Sequence, residues 1–153
     1  MSRVQSAVGE FAFALGKGLI AGLAGTAAIT ASQMIEMKLS GRKPSTTPAD
    51  AASKVLDVKA INKTKKEKFA QEVHWTYGTT WGIARSIISL AGLNGFPATL
   101  AHFTAIYSTA LTIQPALDVA PPVTKWKPKT IATGVVHHLV YAVVAGLVYD
   151  AID

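Results

Sequence analysis

From Ser86 to Leu117 the chain reads SIISLAGLNGFPATLAHFTAIYSTALTIQPAL, without one Asp, Glu, Lys or Arg. A helix in a soluble domain must turn one face to water, so an uncharged run of this length is foreign to it. In a bilayer it is ordinary, because a helix needs about 20 mostly apolar residues to cross a hydrocarbon core of about 30 Å. The stretch is too long for one crossing, and it is broken in the middle. Asn94-Gly95 and Pro97, within LNGFPA, supply turn chemistry. It reads as the end of one span, a tight hairpin, and a second span.

Working outward, Gly18 to Ile35 and Ile131 to Tyr149 are also free of charge. The whole chain is 50% apolar and 16% charged, against about 25% charged in an ordinary soluble domain. We expect an all-α fold, one transmembrane domain over residues 1–153, with spans at about 13–37, 69–93, 98–117 and 131–150. Gln114-Pro115 loosens the end of the third span, since proline removes a backbone donor. The following DVAPPVTKWKPK cannot be helical throughout, because residues before proline are biased to extended geometry.

Charge placement sets the expected topology. Of 15 Lys and Arg residues, all but Arg3, Lys17 and Arg85 fall in or beside the connections between spans one and two and between spans three and four. Positive-inside bias places both connections in the cytoplasm and both termini outside it. A cleaved signal peptide fits poorly, because the apolar region is too long and its heavier basic flank follows it. Within the first connection, STTPADAASKVLDVKA reads as a short interfacial helix. Thr47 is its expected cap, Pro48 suits the first turn and Asp50 complements the dipole. Ala52, Val55, Leu56 and Lys59 follow at helical spacing. The lysines after it imply attraction to anionic lipid headgroups, and nothing in the charge pattern asks for nucleic acid.

Lipid is as apolar as leucine, so spans associate by close packing and polar contacts. Span one carries Ala14, Gly18, Gly22, Thr26 and Thr30 in one row and Ala24, Ala28 and Ser32 in another. Span two offers Gly78 and Gly82. Span four lines up Thr130, Gly134, His138, Ala142, Gly146 and Asp150, beside a second row of His137, Tyr141, Ala145 and Tyr149. These rows predict a four-helix bundle, and would equally serve a homo-oligomer or a membrane-complex partner.

Ionisable groups at membrane depth are costly and are functional candidates by default. His74, His102, His137 and His138 lie in the spans, with Glu36 and Glu72 near the cytoplasmic boundary. Depth allows His74 to meet a span-four histidine and keeps His102 apart. One reading is a proton-sensing polar network of Glu72, His74, Arg85 and His138. A second is haem ligated by His74 with His137 or His138. The bland reading is one interhelical hydrogen bond per neutral histidine. Arg85 lies about 12 Å inside its span, where its stem snorkels outward or its charge pairs with Glu10 or Asp150. Trp75 suits the interface, whereas Trp81 takes no role from the pattern.

With no cysteine there is no disulfide, thiolate nucleophile or zinc–thiolate site. GxSxG, phosphate-binding glycine loops, HExxH and CxxC are all missing. No enzyme, resident cofactor or metal site is expected. GLIAG at Gly18 to Gly22, the polar end of span one around Glu36, and Pro115, Pro121, Pro122 and Trp126 followed by HHLVY at His137 to Tyr141 resemble the YagU-type bacterial inner-membrane proteins. That family's histidine corresponds to His138, while the lysine-rich 59–68 segment departs from its pattern. The resemblance implies a small cytoplasmic-membrane protein without established enzyme activity, associated with acid tolerance. The expectation is therefore a non-enzymatic inner-membrane protein, with pH or acid stress acting through a buried His/Glu network. The alternative is an accessory subunit of a larger complex that holds haem or quinone. A small-solute transporter or channel is a third class, for which four glycine-packed spans leave little room.

Overall fold

The computed structural model describes residues 3–58 and 62–152. Its regular structure among these residues is entirely helical, in five α-helices and one 3₁₀ turn. Helix α1 covers Arg3–Ser40, α2 Thr47–Leu56, α3 Lys63–Leu90, α4 Gly95–Ala116 and α5 Pro128–Ala151, with the 3₁₀ turn at Val123–Lys125 before α5. Two helices, α1 from Val4 to Ser40 and α5, are long and apolar enough to cross a membrane. Of the other two long helices, α3 is the polar one and α4 is uncharged but interrupted by polar residues and prolines. α3 opens on KTKKEK, and α4 carries His102, Gln114, Pro97 and Pro115 among its apolar residues.

The helix ends follow local chemistry. Asn62 caps α3, its side chain accepting from the Lys65 amide at 2.9 Å. Pro128 stands in the first turn of α5, where a missing N–H costs nothing, so this helix begins earlier than the apolar run alone suggests. The α3–α4 connection is short because Gly92 and Gly95 adopt φ of 94° and 59°, a region open to glycine. α2 forms with Asp50 in its first turn and a proline at its start, but the residue in the cap position is Thr46. Thr47 is already helical, a one-residue correction to the sequence expectation. Lys59, the last member of the expected apolar-to-basic spacing, lies outside the described residues.

Small residues decide how the long helices meet. α1 packs against α3 on one side and α5 on another, and α4 closes onto α5. A β-carbon added at Gly18, Gly22 or Gly82 would collide with facing backbone, and one at Gly78 with the Thr26 side chain. The first small-residue row of α1 thus meets the glycines of α3. Gly25 of α1 lies against Tyr141 of α5, while Gly134 and Gly146 of α5 receive Tyr107 and Thr99 of α4. The two α5 rows face different neighbours for most of their length: His137, Tyr141, Ala145 and Tyr149 are buried, with Tyr141 against Gly25 of α1, and Gly134 and Gly146 of the other row face α4.

The two long connections gather at one end of the bundle, here the basic end. Lys54 Nζ reaches the Asp118 carbonyl at 3.3 Å, linking them. The Trp126 indole donates to the Pro121 carbonyl at 2.7 Å and holds the second connection in its non-helical course. The α3–α4 turn marks the opposite, hairpin end.

Candidate functional site

Polar side chains inside the bundle fall into two groups at different levels. Toward the basic end, α1 is held by a histidine from each neighbour. His74 Nε2 of α3 lies 2.9 Å from the Thr30 hydroxyl. That hydroxyl donates to the Thr26 carbonyl at 2.6 Å, so it accepts from His74, which fixes the proton on Nε2. His137 Nδ1 of α5 lies 2.8 Å from the Ser32 hydroxyl. Thr30 and Ser32 are two residues apart, about 200° around a helix, so the two histidines grip opposite faces of α1.

This separates groups that the sequence allowed to meet. His74 and His137 have α1 between them, and His138 turns to α4. His138 Nδ1 donates to the Gly134 carbonyl at 2.7 Å and its ring lies 5.1 Å from that of Tyr107. A bis-histidine haem needs two imidazoles converging on one iron, and these pairs diverge. Among the described residues no three His, Cys, Asp or Glu side chains gather to hold a metal ion. Glu72 also leaves the expected network. It is exposed, because residues at i and i+2 point to different sides of a helix.

Toward the hairpin end, Arg85 and His102 are fully buried. The Arg85 guanidinium pairs with Asp150 of α5, one of the two partners its depth suggested, and its Cζ lies 4.5 Å from the Tyr149 ring centroid. Lys17 of α1 places its ammonium 4.8 Å from the same ring, so cations from two helices share one aromatic face system. His102 Nε2 donates to the Trp81 carbonyl at 2.9 Å, and its ring meets Tyr141 edge-on at 5.8 Å. His102 therefore belongs with Arg85 and stands apart from the other histidines, as its depth required. Trp81 Nε1, Arg85 Nε and Nη1 and His102 Nδ1 are buried without a protein partner. The largest uncompensated polarity of the bundle is concentrated there.

Two contacts were not visible in the sequence pattern. The Tyr141 hydroxyl donates to the Gly78 carbonyl at 2.6 Å, and the Ser86 hydroxyl to the Ala14 carbonyl at 2.6 Å. Both reach a backbone carbonyl on another helix.

At the basic end the last turn of α1 and the first turns of α5 leave an open groove of about 520 Å³. It runs on into a second void of about 350 Å³ that shares Glu36, Ser40, Lys129 and Thr133. Glu36 pairs with Arg42 at 2.8 Å. His137 lines the groove from α5, with Nε2 unpartnered. Comparison with family models, curated proteins and solved structures returns no match for this chain.

Proposed function

We propose that the chain is a four-span, non-enzymatic protein of the bacterial cytoplasmic membrane whose helix packing responds to protonation. In this reading α1, α3, α4 and α5 all cross the bilayer, the basic end faces the cytoplasm, and both termini lie outside. Support for counting α3 and α4 among the spans comes from polar side chains that bond across to a neighbouring helix, as in the His74–Thr30 and His102–Trp81 bonds. The likeness to the YagU type, with its association with acid tolerance, agrees with this reading.

The observation that carries it is the two-sided grip on α1. Interhelical bonds of this kind each contribute about 0.6 kcal/mol, rising to about 1.7. Acidification bears on both. A proton added to His74 puts a charge between α1 and α3 in an apolar layer. If Ser32 donates to His137 Nδ1, a proton there removes the acceptor and forces the hydroxyl to turn. Glu36 and Arg42 are the charged groups of α1 and its following connection that line the groove beside His137 and the void adjoining it. Histidine is the side chain that titrates in this range.

The test is unfolding of the purified protein in mild detergent at about pH 7.5 and about pH 5.5, either side of the ordinary imidazole range. The wild type is expected to lose thermal stability on acidification, and a His74→Phe, His137→Phe double variant to lose that dependence. A variant with the wild-type pH dependence would remove the grounds for a proton-responsive role.

A further inference from the structure

We infer that the groove between the end of α1 and the start of α5 is a binding site for one anionic glycerophospholipid, its phosphate held at the basic rim and its acyl chains along the apolar wall. The inference rests on the membrane reading above and adds a defined ligand site to it.

The walls divide by polarity. Ile35, Leu39 and Val136 line the groove and remain largely exposed, a surface suited to acyl chains and poorly suited to water. The rim carries Arg42, Lys127 and Lys129 beside the Ser40 and Thr133 hydroxyls. Glu36 is the acidic group of this rim, and it is engaged by Arg42 through a 2.8 Å ion pair and a 2.9 Å bond from Nε. Lys127 and Lys129 enter no ion pair among the described residues, which leaves the rim with excess positive charge.

A second observation points into the same space. His137 is nine-tenths buried on the groove wall, its Nδ1 taken by Ser32 and its Nε2 without a partner. A phosphate or glycerol oxygen seated below the lysines would supply the missing partner. Basic pockets between helices at a cytoplasmic boundary are suited to anionic headgroups. Their position at the ends of two helices long enough to cross the bilayer puts the rim at headgroup level and the apolar wall below it.

The experiment uses the full chain in phosphatidylcholine vesicles containing a minor fraction of phosphatidylglycerol. After extraction in mild detergent, native mass spectrometry counts the lipid retained per protein. The wild type is expected to retain one phosphatidylglycerol in preference to phosphatidylcholine. Lys127→Gln with Lys129→Gln should lower that preference roughly tenfold, and Lys65→Gln with Lys68→Gln, the same charge loss elsewhere on the basic end, should leave it within about twofold. Thr133→Trp, which fills the groove without altering charge, should lower it as the Lys127 and Lys129 changes do.

Equal losses from the two lysine pairs would mean diffuse surface attraction and overturn the site. Retention by a folded, inserted Thr133→Trp protein would do the same. Displacement of the lipid by inorganic phosphate would show a phosphate site indifferent to the apolar wall, and would overturn the phospholipid assignment. A chain that does not float with phosphatidylcholine vesicles refutes the membrane reading itself, an outcome separate from loss of lipid preference in an inserted protein.

Discussion

At the scale of single residues, identical glycines have opposite importance. Gly82 leaves no room for a β-carbon against the Gly18 and Gly22 backbone, whereas Gly9 meets nothing within 4 Å. Gly82→Val should destabilise the bundle by about 3 kcal/mol or prevent its assembly, as overpacking does. Gly9→Ala should be neutral or stabilise by up to about 1 kcal/mol. Thermal unfolding in one detergent separates them. The Arg85–Asp150 pair is asymmetric in the same way, since Arg85 is fully buried and the Asp150 side chain is 38% exposed. Asp150→Asn strands a buried guanidinium and should cost of the order of 3 kcal/mol, while Arg85→Met leaves a carboxylate that water reaches and should cost less. Equal losses, or a larger loss for Arg85→Met, would refute the buried-pair account. Glycine spacing made the first contrast readable in the sequence. The second needed the side chain's depth, which spacing alone limits only to Glu10 or Asp150.

Among the elements, α2 is tied to α3 by an ion pair. Asp50 of α2 meets Lys66 of α3 at 2.7 Å and accepts from Thr46 at 2.9 Å. Burial opposes its charge, but the Lys66 and Thr46 hydrogen bonds and the Lys66 charge outweigh this and hold its carboxyl below the ordinary aspartate range. A carboxyl whose pKa is depressed by folding stabilises the docked state above its unfolded pKa and loses that contribution as pH falls through the folded one. The docking of α2 should therefore weaken below about pH 4, and Asp50→Asn should loosen it at neutral pH and flatten the response. Hydrogen exchange of the α2 amides reports both, and indifference of α2 to acid or to Asp50→Asn refutes the contact's role. The pair is partly exposed, so salt should weaken it as well. The helix and its acidic first turn were legible in TTPAD. The lysine that engages it was not, because several lysines follow and only packing selects one.

For the whole molecule, topology is the testable consequence of charge. The chain has no cysteine, so single cysteines can be introduced without removing any. Ser45→Cys and Lys125→Cys, in the two connections, should react with an impermeant maleimide only after the membrane is opened. Gly9→Cys should react in intact cells. Labelling of all three from outside, or of none, would refute the proposed orientation. Helix number and order, the α3–α4 hairpin and the glycine contacts were readable at this scale because turn residues and small-residue rows act locally. Pairing of the histidines was not, because depth says which groups share a level and leaves azimuth open.

HWTYGTTWGIAR, His74 to Arg85, holds both kinds of information. The sequence by itself determined that it is helical, that Gly78 and Gly82 form its packing face, and that His74 stands one turn before them on the same row. Those properties follow from a 3.6-residue repeat and from the missing glycine side chain. Only the tertiary structure decided that His74 donates to Thr30 while Glu72 turns to the exterior, that Trp81 offers its carbonyl to His102, and that Arg85 finds Asp150. Each of those partners comes from another helix, and its approach depends on how closely the glycines let the backbones pack.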